Sequence, residues 1–262
     1  MKFKTTPYHY DLLKDNERLA VFYEAIKDFA TTRDCSNLTE FDIGCGSGIL
    51  SFFSKDYFKE IIAIEIDPKV ADYTKENLKE FKNIEVINAD GTTFEFPKNA
   101  DLIVCEMLDT ALIDEEQVPV LLHAKKYLKE NGEIIPKAII NTAELVKMPR
   151  ENIHYDDIES NTEYEVLSDT IIYDNIDFLD EFKENFNDIL SFRINKDSKV
   201  NGIKITTYTL LSENIICGPT PMLNPPLLIP LKEKNVKYND LIKLRLKYTM
   251  GKGIQTIEAC YE

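Results

Sequence analysis

Tryptophan is absent from the 262 residues, and histidine occurs three times, at His9, His123 and His154. Histidines this far apart point away from a His-based metal centre, and no metal is expected. The five cysteines, Cys35, Cys45, Cys105, Cys217 and Cys260, are odd in number and form no C-x-x-C pair. That pattern excludes a disulfide scaffold, suits reduced thiols and leads us to expect a cytoplasmic location. No run of about 18 apolar residues exists, so no membrane span is expected. Residues 1–7 lack the apolar stretch of a secretory leader. Basic residues are also few: 31 Lys and Arg stand against 46 Asp and Glu, a net charge of −15. Such a surface repels phosphate backbones, so nucleic acid is the less expected partner and a cationic one is favoured.

What is present is ordinary for a globular chain, with 44% hydrophobic and 29% charged residues. The length suffices for one large domain or two small ones. Glycine is scarce, nine in all, yet three fall within five residues of Glu40-Phe41-Asp42-Ile43-Gly44-Cys45-Gly46-Ser47-Gly48-Ile49-Leu50. The stretch reads as a buried strand, a glycine turn and a helix start. Without a Cβ, glycine takes positive φ and lets a ligand lie against bare main chain. The free N–H groups of the next helix then point at that ligand. The spacing is not the dinucleotide G-x-G-x-x-G, because Gly48 comes one position early and Ile49 stands where glycine is wanted.

Along the chain, apolar spacing predicts a helix over about residues 10–30, with Asp15, Asn16 and Glu17 as start or kink candidates. Strands are expected at about 38–43, 61–65, 84–87, 102–105 and 133–135. Helices are expected at 49–58, from Pro68 to about 81, and at about 116–128, the last closed by Asn131-Gly132. The run Ile61-Ile62-Ala63-Ile64 is apolar throughout, as in a strand buried on both faces. This rhythm predicts an α/β fold with a doubly wound parallel sheet, whose ligands lie beyond the carboxyl ends of the strands. Asp42, the glycine turn, Glu65, Asp90 and Glu106 all fall at those ends. Glu65 is placed to accept from ribose hydroxyls, which a methyltransferase and a dehydrogenase share, and Asp90 to accept from an adenine amino group.

After Pro136 the alternation stops. β-Branched stretches at 202–211, 214–217, 227–231, 241–248 and 254–259, with the turn Gly251-Lys252-Gly253, predict an antiparallel β domain. The stretch 150–190 is acidic and mixed, and 177–190 reads as a helix or covering loop. The expected division is 1–136 and 137–262, the two halves packing tightly.

Asp42-x-Gly44-x-Gly46-x-Gly48 resembles the first motif of class I S-adenosylmethionine-dependent methyltransferases. The loop 105–116 carries Glu106 and Glu115 with eight residues between them and resembles the double-Glu loop of protein arginine methyltransferases, where two acids clamp a guanidinium. Leu12-Leu13-Lys14-Asp15-Asn16-Glu17-Arg18 resembles the family's M-L-x-D-x-x-R segment, and Ile135-Pro136-Lys137-Ala138 its proline junction to a β-barrel. The resemblance implies a Rossmann-like methyltransferase sheet followed by a barrel-like domain, with S-adenosylmethionine as cofactor. It implies Arg18 and Asp42 at the cofactor's amino-acid end, Gly44, Gly46 and Gly48 beneath it, Glu65 at its ribose and Asp90 at its adenine. Glu106 and Glu115 would be catalytic, the acceptor a nitrogen of a protein side chain, and the oligomeric state is left open. The sequence departs from the family in the barrel's Thr-His-Trp loop, where only Thr220 matches near 218–227. Asn224-Pro225-Pro226 resembles the N-P-P motif of amino-methyltransferases but lies about 120 residues too late, and reads as a proline-stiffened loop into an edge strand. The alternatives are an RNA or small-molecule methyltransferase, or a catalytically silent cofactor-binding module.

Overall fold

The computed structural model describes residues 2–149, 151–156 and 163–262. The N-terminal helical stretch is two helices. Helix α1 (Pro7–Lys14) starts with proline in its first turn and Thr6 as its cap. Asp15 then breaks the run, because its carboxylate accepts from Arg18 N–H and so begins α2 (Asn16–Thr31). Phe22, Ala25, Ile26, Phe29 and Ala30 form the buried face of α2, which packs on neighbouring elements of both halves.

The first sheet is built from β1 (Thr39–Ile43), β2 (Glu60–Glu65), β3 (Ile84–Asn88), β4 (Ala100–Cys105) and β5 (Leu128–Ile135). Its order is β3-β2-β1-β4-β5 and every pair is parallel. Helices α3 (Ile49–Ser54), α4 (Pro68–Leu78) and α5 (Gln117–Ala124) complete this half. Residues 61–64 are buried, as their unbroken apolar run predicts. The strand order reverses between β1 and β4, which opens a crevice beyond their carboxyl ends. The glycine turn leaves β1 and the two-acid loop leaves β4, so topology alone brings both to that crevice.

Three expectations here are corrected. Helix α3 stops at Ser54, whose carbonyl accepts from Tyr57 and Phe58 and closes the last turn. Helix α5 ends at Ala124 and passes through a 3-10 turn, Lys125–Tyr127. Asn131-Gly132 does not close it: both lie in β5, where Leu128 pairs with Ala100, Glu133 pairs with Leu102, and the residues between bulge out.

Beyond Pro136 the chain forms β6 (Ala138–Lys147), β7 (His154–Tyr155), β8 (Glu165–Val166), β9 (Ile171–Asp177), β10 (Asn185–Arg193), β11 (Ser198–Leu210), β12 (Ile216–Cys217), β13 (Leu227–Val236), β14 (Leu241–Thr249) and β15 (Glu258–Tyr261). They make an antiparallel sheet centred on β11, flanked by β6 and β13, and a second sheet of order β10-β14-β15. This is the expected barrel-like half. Of the helix or loop expected over 177–190, residues 178–184 are turn and loop, and from residue 185 the chain is β10, which pairs with β14 along its whole length and buries Leu190 and Phe192 on one face. Of the acidic stretch 150–190, residues 150 and 157–162 lie outside the described residues. Gly251 and Gly253 take positive φ at the turn out of β14, and a 3-10 turn, Ile254–Thr256, delays β15. One hydrophobic core runs through both halves.

Candidate active site

The turn after β1 uses glycine for the reason its spacing implies. Gly44, Gly46 and Gly48 have φ of 75°, 51° and 82°, a region costly to any side chain. The Gly44 and Cys45 N–H groups both donate to the Ile64 carbonyl at 2.9 Å, tying the turn to β2. A Cβ on Gly44 would stand 2.8 Å from the Met107 side chain, and one on Gly46 2.8 Å from the His9 ring. Glu65, the last residue of β2, accepts from Gly46 N–H at 3.0 Å on one oxygen and Asp67 N–H at 2.9 Å on the other. Its carboxylate thereby fixes the turn while remaining on the wall of a cavity of about 210 Å³.

Arg18, Gly44, Gly46, Glu65, Glu106 and Glu115 all line that cavity. The two acids of the loop after β4 are therefore brought together with the glycine turn. Arg18 is buried; its Nη2 donates to Glu106 Oε2 and its Nη1 to the Leu12 carbonyl at 3.5 Å. Its Nε is buried with no partner. Burial pulls the guanidinium down to about 10. Glu115 is pushed up, first by burial and then by the neighbouring charges of Asp114 and Glu116.

Three residues assigned to the cofactor from sequence stand off the cavity wall: Gly48, whose missing Cβ faces Thr74 and Leu78 of α4, Asp42 and Asp90. Asp42 is buried off the cavity, and its Oδ2 accepts from Ser51 N–H at 2.9 Å and from Ser51 Oγ at 2.5 Å. It anchors the first turn of α3 to β1, and burial pushes its carboxyl up to about 6. Asp90 closes its own turn by accepting from Thr92 N–H at 2.8 Å and Thr92 Oγ1 at 2.6 Å, bonds that hold it below the usual carboxylate range. It lies outside the cavity wall.

The structure adds residues the sequence reading missed. Tyr8 and His9 reach the cavity from α1, with the His9 imidazole over Gly46 and its Nδ1 2.7 Å from Thr6 Oγ1. Burial lowers His9. Met107 and Met222 also line the cavity. Met222 belongs to the Thr220 loop, which is anchored where Thr220 Oγ1 and Met222 N–H both donate to Asp15 Oδ2. The only local signal for His9 was its place three residues after the Thr6 cap. A larger cleft of about 340 Å³ lies between the end of α2 and the β11–β12 turn, but Arg33 pairs with Glu133 there and Lys137 with Glu213. It holds no glycine turn, so the smaller cavity is the candidate site. Among the described residues no cluster of His, Cys, Asp or Glu is placed to hold a metal ion, and no helix is long and apolar enough to cross a membrane.

Comparison with known proteins bears on this geometry. A family profile described as a methyltransferase domain matches residues 41–132, the span from β1 into β5. An uncharacterized protein of Methanothermobacter thermautotrophicus is 47% identical over 99% of both chains. The histone-arginine methyltransferase CARMER of Drosophila persimilis is 32% identical over 131 residues, 48% of this chain and 24% of that one. The solved Trypanosoma brucei PRMT1 enzyme-prozyme complex with AdoHcy shares the fold, with a TM-score of 0.79 over 98% of this chain and 96% of that one at 14% identity. The chain belongs to one family with the Methanothermobacter protein, and it is a class I S-adenosylmethionine-dependent methyltransferase resembling the protein arginine methyltransferases.

Proposed function

We propose that the chain methylates a nitrogen of a protein side chain, arginine first, with residues 1–136 holding the cofactor and 137–262 flanking the acceptor. The observation that carries this reading is the meeting of Glu106 and Glu115 in the cavity floored by the glycine turn. The residues fit the cofactor. Gly44 and Gly46 leave bare main chain where a Cβ would collide with its surroundings, and Arg18 has a buried Nε without an acceptor. When bound, S-adenosylmethionine supplies an electrophilic methyl on a sulfonium sulfur. Arg18 would hold its carboxylate and Glu65 its ribose, with Gly44 and Gly46 beneath. Asp42 acts through the turn it anchors.

Glu106 and Glu115 hold a guanidinium as a doubly anchored cation and aim one nitrogen at the methyl. A guanidinium must shed one proton on methylation, and the Glu115 carboxyl, raised by burial, is suited to take it up. The net charge of −15 favours basic segments as acceptors. The name of the Drosophila relative, which matches 131 residues, supports the same reading. The rival reading of a silent binding module draws on the Arg18–Glu106 ion pair, which occupies one of the two acids.

The test is labelled-methyl transfer to an arginine-glycine peptide and its lysine counterpart, with cofactor binding by calorimetry. Label on the arginine peptide is expected. Glu106→Gln should cut transfer by about a hundredfold or more while cofactor affinity holds or rises, because Arg18 loses a competing carboxylate. Tight binding without turnover identifies the module, and label recovered only from RNA in a lysate identifies the other acceptor.

A further inference from the structure

The loop joining β4 to α5 cannot hold its shape alone. Ala111 and Leu112 are consecutive non-glycine residues with φ of 61° and 58°, a conformation that side chains resist. Asp109, buried, is the acceptor around which the loop folds. Its Oδ2 accepts from Ile113 N–H and Asp114 N–H, each at 3.0 Å, and its Oδ1 from Glu115 N–H at 3.1 Å. The backbone of Glu115 thus hangs directly on Asp109.

The barrel-like half secures this arrangement from outside. Tyr155, on β7, brings its hydroxyl to 3.0 Å from Asp109 Oδ2 and 2.7 Å from Asp114 Oδ2. The tip beyond β14 adds Gly251 N–H to the Leu112 carbonyl at 2.9 Å, Gly253 N–H to the Ile113 carbonyl at 2.8 Å and Ile254 N–H to Asp114 Oδ1 at 3.0 Å. The loop's other side is fastened by Ala111 N–H on Thr207 Oγ1 at 2.8 Å. Of these ties, only the Tyr155 hydroxyl reaches the carboxylate that holds Glu115.

We propose that Asp109 and Tyr155 are positioning residues for Glu115, the barrel-like half setting the second acid through the Tyr155 hydroxyl. This rests on the reading that Glu115 meets the acceptor. Tyr155→Phe removes one hydroxyl and leaves the ring. The kcat/KM for the arginine-glycine peptide should fall about tenfold, the worth of a hydrogen bond to a charged acceptor, while the calorimetric affinity for S-adenosylmethionine stays unchanged. In a Glu115→Gln background the same change should add less than about a twofold loss, since a positioning residue has nothing left to position. Losses that multiply would overturn the proposal and leave Tyr155 a packing residue. If the wild type labels no arginine peptide, the functional reading fails by itself. The clamp is then read by amide exchange: Tyr155→Phe should speed exchange at Ile113, Asp114 and Glu115 about tenfold without change in β1 to β4. Equal exchange in both proteins would refute the clamp whatever the substrate.

Discussion

Glu40 offers the most quantitative test of how this fold treats charge. It sits in the second position of β1, fully buried, with no well-formed hydrogen bond to either carboxylate oxygen and only the Ser54 hydroxyl to ease its charge. Burial pushes its carboxyl well above the usual range; Ser54 pulls it back in part, and Asp42 on the same strand adds to the rise. The folded protein therefore keeps the proton that the unfolded chain releases near 4.5. The sign follows from that difference. Glu40 favours the native state most below the unfolded value, and the advantage is lost as pH rises toward the folded one. Within that window each pH unit costs up to about 1.4 kcal/mol. Glutamine has nearly the same shape and no proton to lose. Its buried amide adds a pH-independent penalty of about 1–3 kcal/mol, which offsets the curve without changing its slope. Urea unfolding of the wild type and Glu40→Gln at pH 5.5, 6.5 and 7.5 reads the difference directly. The variant should gain on the wild type as pH rises, by up to about 1.4 kcal/mol per unit, with an unchanged denaturant slope. Parallel curves would show that the carboxyl is not held protonated and that the buried, unpartnered placement is wrong. Asp42, also raised, titrates in both proteins, and its interaction with Glu40 is lost in the variant.

Gly46→Ala should lower cofactor affinity by about tenfold or more and stability by about 1–2 kcal/mol, since φ is positive there and His9 stands against the new Cβ. Calorimetry and denaturant melts measure the two effects separately, and unaltered affinity would remove the cofactor from the turn. The raised Glu115 carboxyl makes a pH prediction. Its charged form is lost as pH falls, beginning above the ordinary carboxylate range, so kcat/KM for a cationic peptide should decline earlier on the acid side than a solvated glutamate would allow. The profile of Glu115→Gln should lack that limb, and an unchanged limb would assign it to another group.

The first half was readable because its signals are local. Positive φ at Gly44, Gly46 and Gly48 is a demand of the turn itself, and the buried run before Glu65 needs no partner to declare itself a strand. The doubled helix near Asp15 was half legible, since the cap residue was visible while the break it enforces was not. The β10 segment was illegible for the opposite reason. Its acidic, mixed composition says little until β14 lies beside it and turns Leu190 and Phe192 inward.

Periodicity and turn chemistry by themselves determined the parallel sheet, the rim to which its strands deliver acids, and the bare main chain waiting there. Only the folded chain decided what each carboxylate would hold: Asp42 took Ser51, Asp90 took Thr92, Glu106 took Arg18, and Asp109 took Tyr155 from the other half. A strand or a turn is dictated by neighbours within a few residues, whereas a buried acid is satisfied by whichever donor the packing of distant segments brings within reach.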